Sequence, residues 1–205
     1  MPLLEPGLET VVLTATSIHG CAASTEQTYE VLPSPKAEVS VLADTVCLNT
    51  AQVFSSGATA ATDIFWNLMD GTGSTESDFR YTYGSPGDYA VTLIAANDNG
   101  CPSDTATFPV RVNVLPVAGF SLSESVRCGT PAPVVFMNNS SGGLSYRWIF
   151  GNGATATDPN PEYTYLTAGS YSPMLTVENE FGCQDTSSQE LIISGAPVAE
   201  FIRPP

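Results

Sequence analysis

Gly87-Asp88-Tyr89-Ala90-Val91-Thr92-Leu93-Ile94, followed by Asn99-Gly100-Cys101, is the stretch that decides how this sequence is organised. It returns as Gly169-Ser170-Tyr171-Ser172-Pro173-Met174-Leu175-Thr176, followed by Phe181-Gly182-Cys183. It also stands near the start as Gly7-Leu8-Glu9-Thr10-Val11-Val12-Leu13-Thr14, followed by His19-Gly20-Cys21. Self-similarity at a fixed period of about 81 residues marks a repeat architecture. Other markers keep the same step: Pro35-Lys36-Ala37, Pro116-Val117-Ala118 and Pro197-Val198-Ala199, together with the pairs Cys47/Cys128 and Trp66/Trp148. Residues 1–34 then read as the last part of a repeat. Residues 35–115 and 116–196 are two complete repeats, and 197–205 open another, as in a piece of a longer array.

On either side of this strand, each complete repeat is a series of short alternating runs. Ala37–Leu42, Gln52–Ser55, Ile64–Leu68, Phe79–Tyr83 and Tyr89–Ala96 make the first series, closed by Val112–Val114. Val134–Met137, Tyr146–Phe150, Glu162–Tyr165, Tyr171–Glu178 and Leu191–Ile193 make the second. Period-2 alternation bounded by Gly, Pro, Asn and Ser is a strand pattern, and no stretch holds a 3.6-residue apolar stripe over three turns. Six or seven strands in each repeat predict an all-β protein of tandem β-sandwiches. The joint Val114-Leu115-Pro116-Val117-Ala118 is short and stiffened by Pro116, which predicts an elongated array.

Composition excludes several functions. Among 205 residues, six are Lys or Arg and 21 are Asp or Glu, for a net charge of −15. Such a chain repels phosphate backbones and anionic membranes, so neither nucleic acid nor direct membrane insertion is expected. With 42% apolar residues it can still bury a core. One histidine, His19, nearly removes His-based acid–base and metal chemistry. No Gly-rich phosphate loop, nucleophile elbow or HExxH motif is present. Catalytic and cofactor-binding residues are expected to be none.

At Trp66-Asn67-Leu68-Met69-Asp70-Gly71 and Trp148-Ile149-Phe150-Gly151-Asn152-Gly153 the sequence resembles the PKD (polycystic kidney disease) domain family, whose pattern is Trp-Asp-Phe-Gly-Asp-Gly. Tyr81-Thr82-Tyr83 with Pro86-Gly87-Asp88-Tyr89 and Tyr163-Thr164-Tyr165 with Gly169-Ser170-Tyr171 continue it, with Ala168 where proline is usual. Met69 stands in the family's glycine position and Asn152 in its aspartate position. Val46-Cys47, Gly100-Cys101-Pro102-Ser103-Asp104 and Gly182-Cys183-Gln184-Asp185 narrow the likeness to repeats of large cell-surface and gliding-associated proteins of Bacteroidetes-type bacteria. The resemblance implies tandem extracellular Ig-like domains without catalysis. Neighbouring repeats, a surface protein or a polysaccharide are the implied partners.

Trp66 and Trp148 lie mid-strand and read as core; the alternative is a sugar-stacking surface aromatic. Tyr89 and Tyr171 suit a backbone-bonding tyrosine corner. Asp70-Gly71 and Asn152-Gly153 read as tight turns. The alternative at these turns is a calcium site, with Asp70 joined by Asp78 or Glu76, and Asp158 with Glu162 in the next repeat. Pairing within repeats gives Cys47–Cys101 and Cys128–Cys183 and leaves Cys21 unpaired in this chain. A geometric objection stands against it, because the two members of each pair fall toward opposite ends of an Ig topology. Cys47–Cys183 is one alternative and free or metal-bound thiols the other; either bonded form implies an oxidising setting. Two functions follow: a spacer or adhesion segment of a large surface protein, including bacterial adhesion or gliding, and a carbohydrate- or protein-binding accessory module of a secreted hydrolase.

Overall fold

A computed structural model describes residues 5–197, and every regular element among them is a β-strand. The chain separates after Val112 into two compact units.

The first unit begins with a hairpin of β1 (Gly7–Thr16) and β2 (Ala22–Val31), in register from Gly7↔Val31 to Thr16↔Ala22. It continues through β3 (Val39–Val41), β4 (Thr45–Cys47), β5 (Gln52–Ser56), β6 (Asp63–Asn67), β7 (Gly73–Ser74), β8 (Asp78–Tyr81), β9 (Gly87–Ala96) and β10 (Asp104–Asn113). Strands β3-β5-β8 form one sheet and β4-β10-β9-β6-β7 the other. Alternation dictates the packing: along β9, Val91, Leu93 and Ala95 are fully buried while Thr92 and Ile94 face outward. With Phe54, Trp66, Leu68, Tyr83, Val110 and Val112, Val91 and Leu93 fill one core.

The second unit runs β11 (Phe120–Leu122), β12 (Val126–Cys128), β13 (Ala132–Asn138), β14 (Ser145–Ile149), β15 (Thr155–Ala156), β16 (Glu162–Tyr165), β17 (Gly169–Tyr171), β18 (Met174–Glu178), β19 (Gln184–Ser188) and β20 (Leu191–Ser194). Its sheets are β11-β13-β16, β15-β14-β18-β19 and β12-β20-β17. Phe136, Trp148, Phe150, Leu175, Val177, Leu191 and Ile193 lie at its centre. The single strand expected over Tyr171–Glu178 is divided at Ser172-Pro173. Pro173 has no N–H for the ladder, so β17 pairs with β20 while β18 pairs with β14 and β19.

The two short strands β4 and β12, which alternation alone did not mark, correct the cysteine pairing. Strand β12 runs parallel to β20 and sets Cys128 opposite Ser194. Cys183 precedes β19, so the lengths of β19 and β20 separate the two ends, on the order of 30 Å at about 3.3 Å per residue. A disulfide needs Cα atoms within about 7 Å. In the first unit the carbonyl of Asp44, just before β4, accepts the Arg111 amide at 2.7 Å, while Cys101 precedes the opposite end of β10. Cys101 and Cys128 accordingly carry free thiols, and neither Cys47–Cys101 nor Cys128–Cys183 forms. Cys21, at the hairpin turn, is also a free thiol. The proposed start of a further repeat at 197–205 lies almost wholly outside the described residues.

Candidate functional site

The residues singled out by sequence gather around one turn in each unit. Trp66 and Trp148 are fully buried, so no face of either indole is offered to a sugar. Phe54 and Phe136 meet them edge-on at 5.8 and 5.4 Å between ring centres. Each indole N–H donates to a backbone carbonyl ten residues on: Trp66 Nε1 to Glu76 O at 3.0 Å and Trp148 Nε1 to Asp158 O at 2.9 Å. A buried indole donor left without an acceptor would cost about 1–3 kcal/mol, and the loop after the turn supplies one.

Between tryptophan and carbonyl lies the Asp70/Asn152 turn. Asp70 Oδ1 accepts from Thr72 N at 3.0 Å and Thr72 Oγ1 at 2.6 Å, and its Oδ2 accepts from Tyr81 Oη at 2.6 Å. Partial desolvation pushes this exposed carboxyl upward, but the bonds from Thr72 and Tyr81 together outweigh it and hold the group below the usual carboxylate range. Asn152 does the same work without charge: Oδ1 accepts from Ala154 N at 3.2 Å and Nδ2 donates to Tyr163 Oη at 2.9 Å. Both side chains fasten the turn to the tyrosine of the following strand. Asp78 sits at the start of β8 beside Ser77, and Asp158 contributes its main-chain carbonyl to Trp148. Among the described residues, no three His, Cys, Asp or Glu side chains gather at metal-ligating range.

Tyr89 Oη donates to Ser85 O at 2.8 Å and Tyr171 Oη to Thr167 O at 2.9 Å, as the corner geometry predicts. Desolvation holds the Tyr83 and Tyr165 hydroxyls well above the ordinary phenol range. Tyr165 Oη donates to Phe150 O at 2.9 Å, closing the turn from the core side.

Sequence reading missed a second pair of fastenings. Asp104 Oδ2 accepts the amide of Ala37 at 2.9 Å, and Asp185 Oδ2 accepts that of Ala118 at 2.8 Å. Asn97 Nδ2 donates to Pro33 O at 3.1 Å and Ala60 O at 2.9 Å, and Asn179 Nδ2 to Val114 O at 2.9 Å. In each unit the turn before the last long strand thereby holds the chain as it enters the sandwich. The signal was on the page, because Pro-x-Ala and the aspartate after Gly-Cys recur in step. Nothing local shows that they touch.

The outer sheet faces repeat only in part, sharing the threonine at Thr105 and Thr186. In the first unit Phe65, Ile94 and Thr105 stand in one cross-strand row, with Phe65 48% exposed. In the second, Arg147, Thr176 and Thr186 stand in the same relation. Beside that row, Leu144, Arg147, Pro159, Thr176, Glu178 and Gln184 border a shallow open hollow.

The PKD domain family matches residues 33–112 and again 113–193. The chain belongs to the PKD domain family. It is 40% identical over 83 residues to the pre-pro-metalloprotease PrtV of Vibrio cholerae, a match covering 38% of this chain and 8% of that protein. It is 33% identical over 111 residues to human polycystin-1, covering 51% of this chain and 2% of that protein. The chain thus spans a small fraction of the curated relatives it matches. The crystal structure of a PKD domain of PrtV shares 40% identity with it, covers 39% of this chain and 98% of that one, and gives a TM-score of 0.35.

Within the two PKD domains the departures from the family motif have a backbone meaning. Gly151 adopts φ 82°, and a Cβ there would stand 2.9 Å from the Ser172 amide nitrogen. Met69, in the corresponding position of the first PKD domain, is held at φ 64°. A side chain in that left-handed region costs about 1–2 kcal/mol, so Met69 is strained where Gly151 is not. The motif glycine thus relieves a strain that Met69 bears in the first domain.

Proposed function

We propose that these PKD domains form a non-catalytic accessory module of a secreted hydrolase, working outside the cell and engaging a protein or polysaccharide surface through their outer sheet faces. The observation that carries this reading is the 40% identity to a PKD domain region of a pre-pro-metalloprotease. The domain interiors support it too. Their tryptophans, tyrosines and turn carboxylate are all engaged in holding the fold, while the outer rows differ between the two repeats at Phe65/Arg147 and Ile94/Thr176. Retention of the chain on insoluble protein and polysaccharide matrices tests it. Binding to one matrix, weakened at least fivefold by Phe65→Ala or Arg147→Ala, is the expected result. No retention on any matrix counts against it.

A second reading, a spacer or adhesion segment of a surface protein, draws on one observation. The first family match ends at residue 112 and the second begins at 113, so two domains follow without a linker. The relatives reported above weigh toward the accessory module over gliding motility.

A further inference from the structure

The hairpin β1–β2 lies outside both family matches, pairs with no other strand among the described residues, and exposes its apolar residues. Its geometry is nevertheless that of the last hairpin of a PKD domain. Gly7 opens β1 at φ 142°, as Gly87 opens β9 at φ 157°. At the turn, Ser17 N donates to Cys21 O and Gly20 N to Ser17 O, the pattern that Asn179, Cys183 and Gly182 make in the second domain. Ser17 Oγ accepts from the amides of His19 and Cys21, as Asn179 Oδ1 does from those of Phe181 and Cys183. Gly20 and Gly182 share the left-handed conformation at φ 84° and 75°.

The correspondence extends to the faces. Val11 and Leu13 of β1 take the places of Val91 and Leu93 of β9. The latter two are fully buried beneath Phe54 and Trp66, whereas Val11 is 53% and Leu13 67% exposed. Across the strands, Gln27 and Thr25 stand opposite Val11 and Leu13, and Tyr29 stands opposite Glu9 where Val110 stands opposite Tyr89. An apolar row of this kind facing water loses the burial that stabilises its counterparts, at about 25 cal/mol per Å².

We infer that β1–β2 is the preformed last hairpin of a third PKD domain, and that its Val11/Leu13/Tyr29 face docks the front strands of a repeat of this same kind. The occupant is a segment patterned like residues 35–86, which presents one phenylalanine and one tryptophan to this face as Phe54 and Trp66 do to Val91 and Leu93. The first domain supplies the evidence for this partner, since it shows the same hairpin face covered by that segment. The inference is independent of what the outer faces bind.

Fusing a copy of residues 35–86 directly before Gly7 of the full chain tests it by amide hydrogen exchange. The β1 amides that do not bond β2 are expected to slow by at least 100-fold relative to the unmodified chain. A fusion that also carries Val11→Asp and Leu13→Asp should lose that protection while β9 and β18 keep theirs. A copy of residues 116–168 serves as a second donor. Unchanged β1 exchange with both donors overturns the inference. So does a concentration-dependent dimer of the unmodified chain in which β1 is protected, because a second copy would then be the occupant.

Discussion

Asp104 accepts the main-chain amide of Ala37 through Oδ2 at 2.9 Å, and the next PKD domain repeats the bond between Asp185 and Ala118 at 2.8 Å. One carboxylate thus joins the start of each sandwich to the beginning of one of its last strands. Loss of such a charge-assisted bond frees the incoming segment as well as removing an acceptor. Asp104→Ala should lower the melting temperature of the first PKD domain, and Asp185→Ala that of the second. Melts of single-tryptophan variants read the two domains separately, and unchanged midpoints in both would show the bonds to be incidental.

Acid should act chiefly on the first domain. The bond from Ala37, then that from Thr105, holds Asp104 below the usual 3.8. The Arg111 guanidinium does the same for Asp88. Against an opposing partial desolvation, bonds from Thr72 and Tyr81 together lower Asp70. A carboxyl whose folded pKa is depressed contributes stability that is present above its unfolded value and lost as pH falls through the folded one. Stability from these groups should therefore be level from pH 8 to 5 and decline below about pH 4. The second domain carries Asn152 and Ser170 in place of Asp70 and Asp88, so it should decline less. Denaturant midpoints at pH 7 and pH 3 decide this, and equal losses in both domains would refute it.

Met69→Gly should stabilise the first domain by about 1 kcal/mol by releasing a side chain from the left-handed region, less the extra chain entropy glycine carries. Gly151→Met in the second domain should destabilise by more, because its Cβ meets the Ser172 backbone. Urea unfolding of the two variants gives the comparison, and its sign is the test.

Each PKD domain has one tryptophan at its centre. Trp148→Ala should cost about 3–5 kcal/mol through the cavity it leaves. Trp148→Phe should cost less, although it strands the Asp158 carbonyl. The Trp66 fluorescence transition should stay where it is in both variants, and a matching shift would mean that the domains unfold together.

Alkylation of the non-reduced chain should modify three thiols, Cys21, Cys101 and Cys128, as read by intact mass. A single modified thiol would restore the pairing within repeats. Added calcium or a chelator should leave both melting midpoints unchanged, since both Asp70 oxygens already accept hydrogen bonds from the protein.

How much of this was legible can be read from particular residues. The buried tryptophans, the tyrosine corners and the Asp-Gly and Asn-Gly turns were all visible, because each depends on neighbours within a few positions. The division of Tyr171–Glu178 was hidden, although Pro173 stood in plain view, since a proline breaks a strand only where its missing N–H falls in a ladder. The Asp104–Ala37 bond was hidden for a different reason: its two ends are far apart in sequence, and period alone says that they recur.

The repeat, the all-β class and the inward-facing residues are all written in the chain, because alternation and turn chemistry are local properties. Which ends meet depends on the folded sandwich. Cys47 and Cys101, and Cys128 and Cys183, occur once per repeat and read as partners. Yet parallel pairing of β12 with β20 carries Cys128 to the far end of the sheet from Cys183. Strand direction and register are set by the whole sandwich, and they give the aspartates their partners while keeping these cysteines apart.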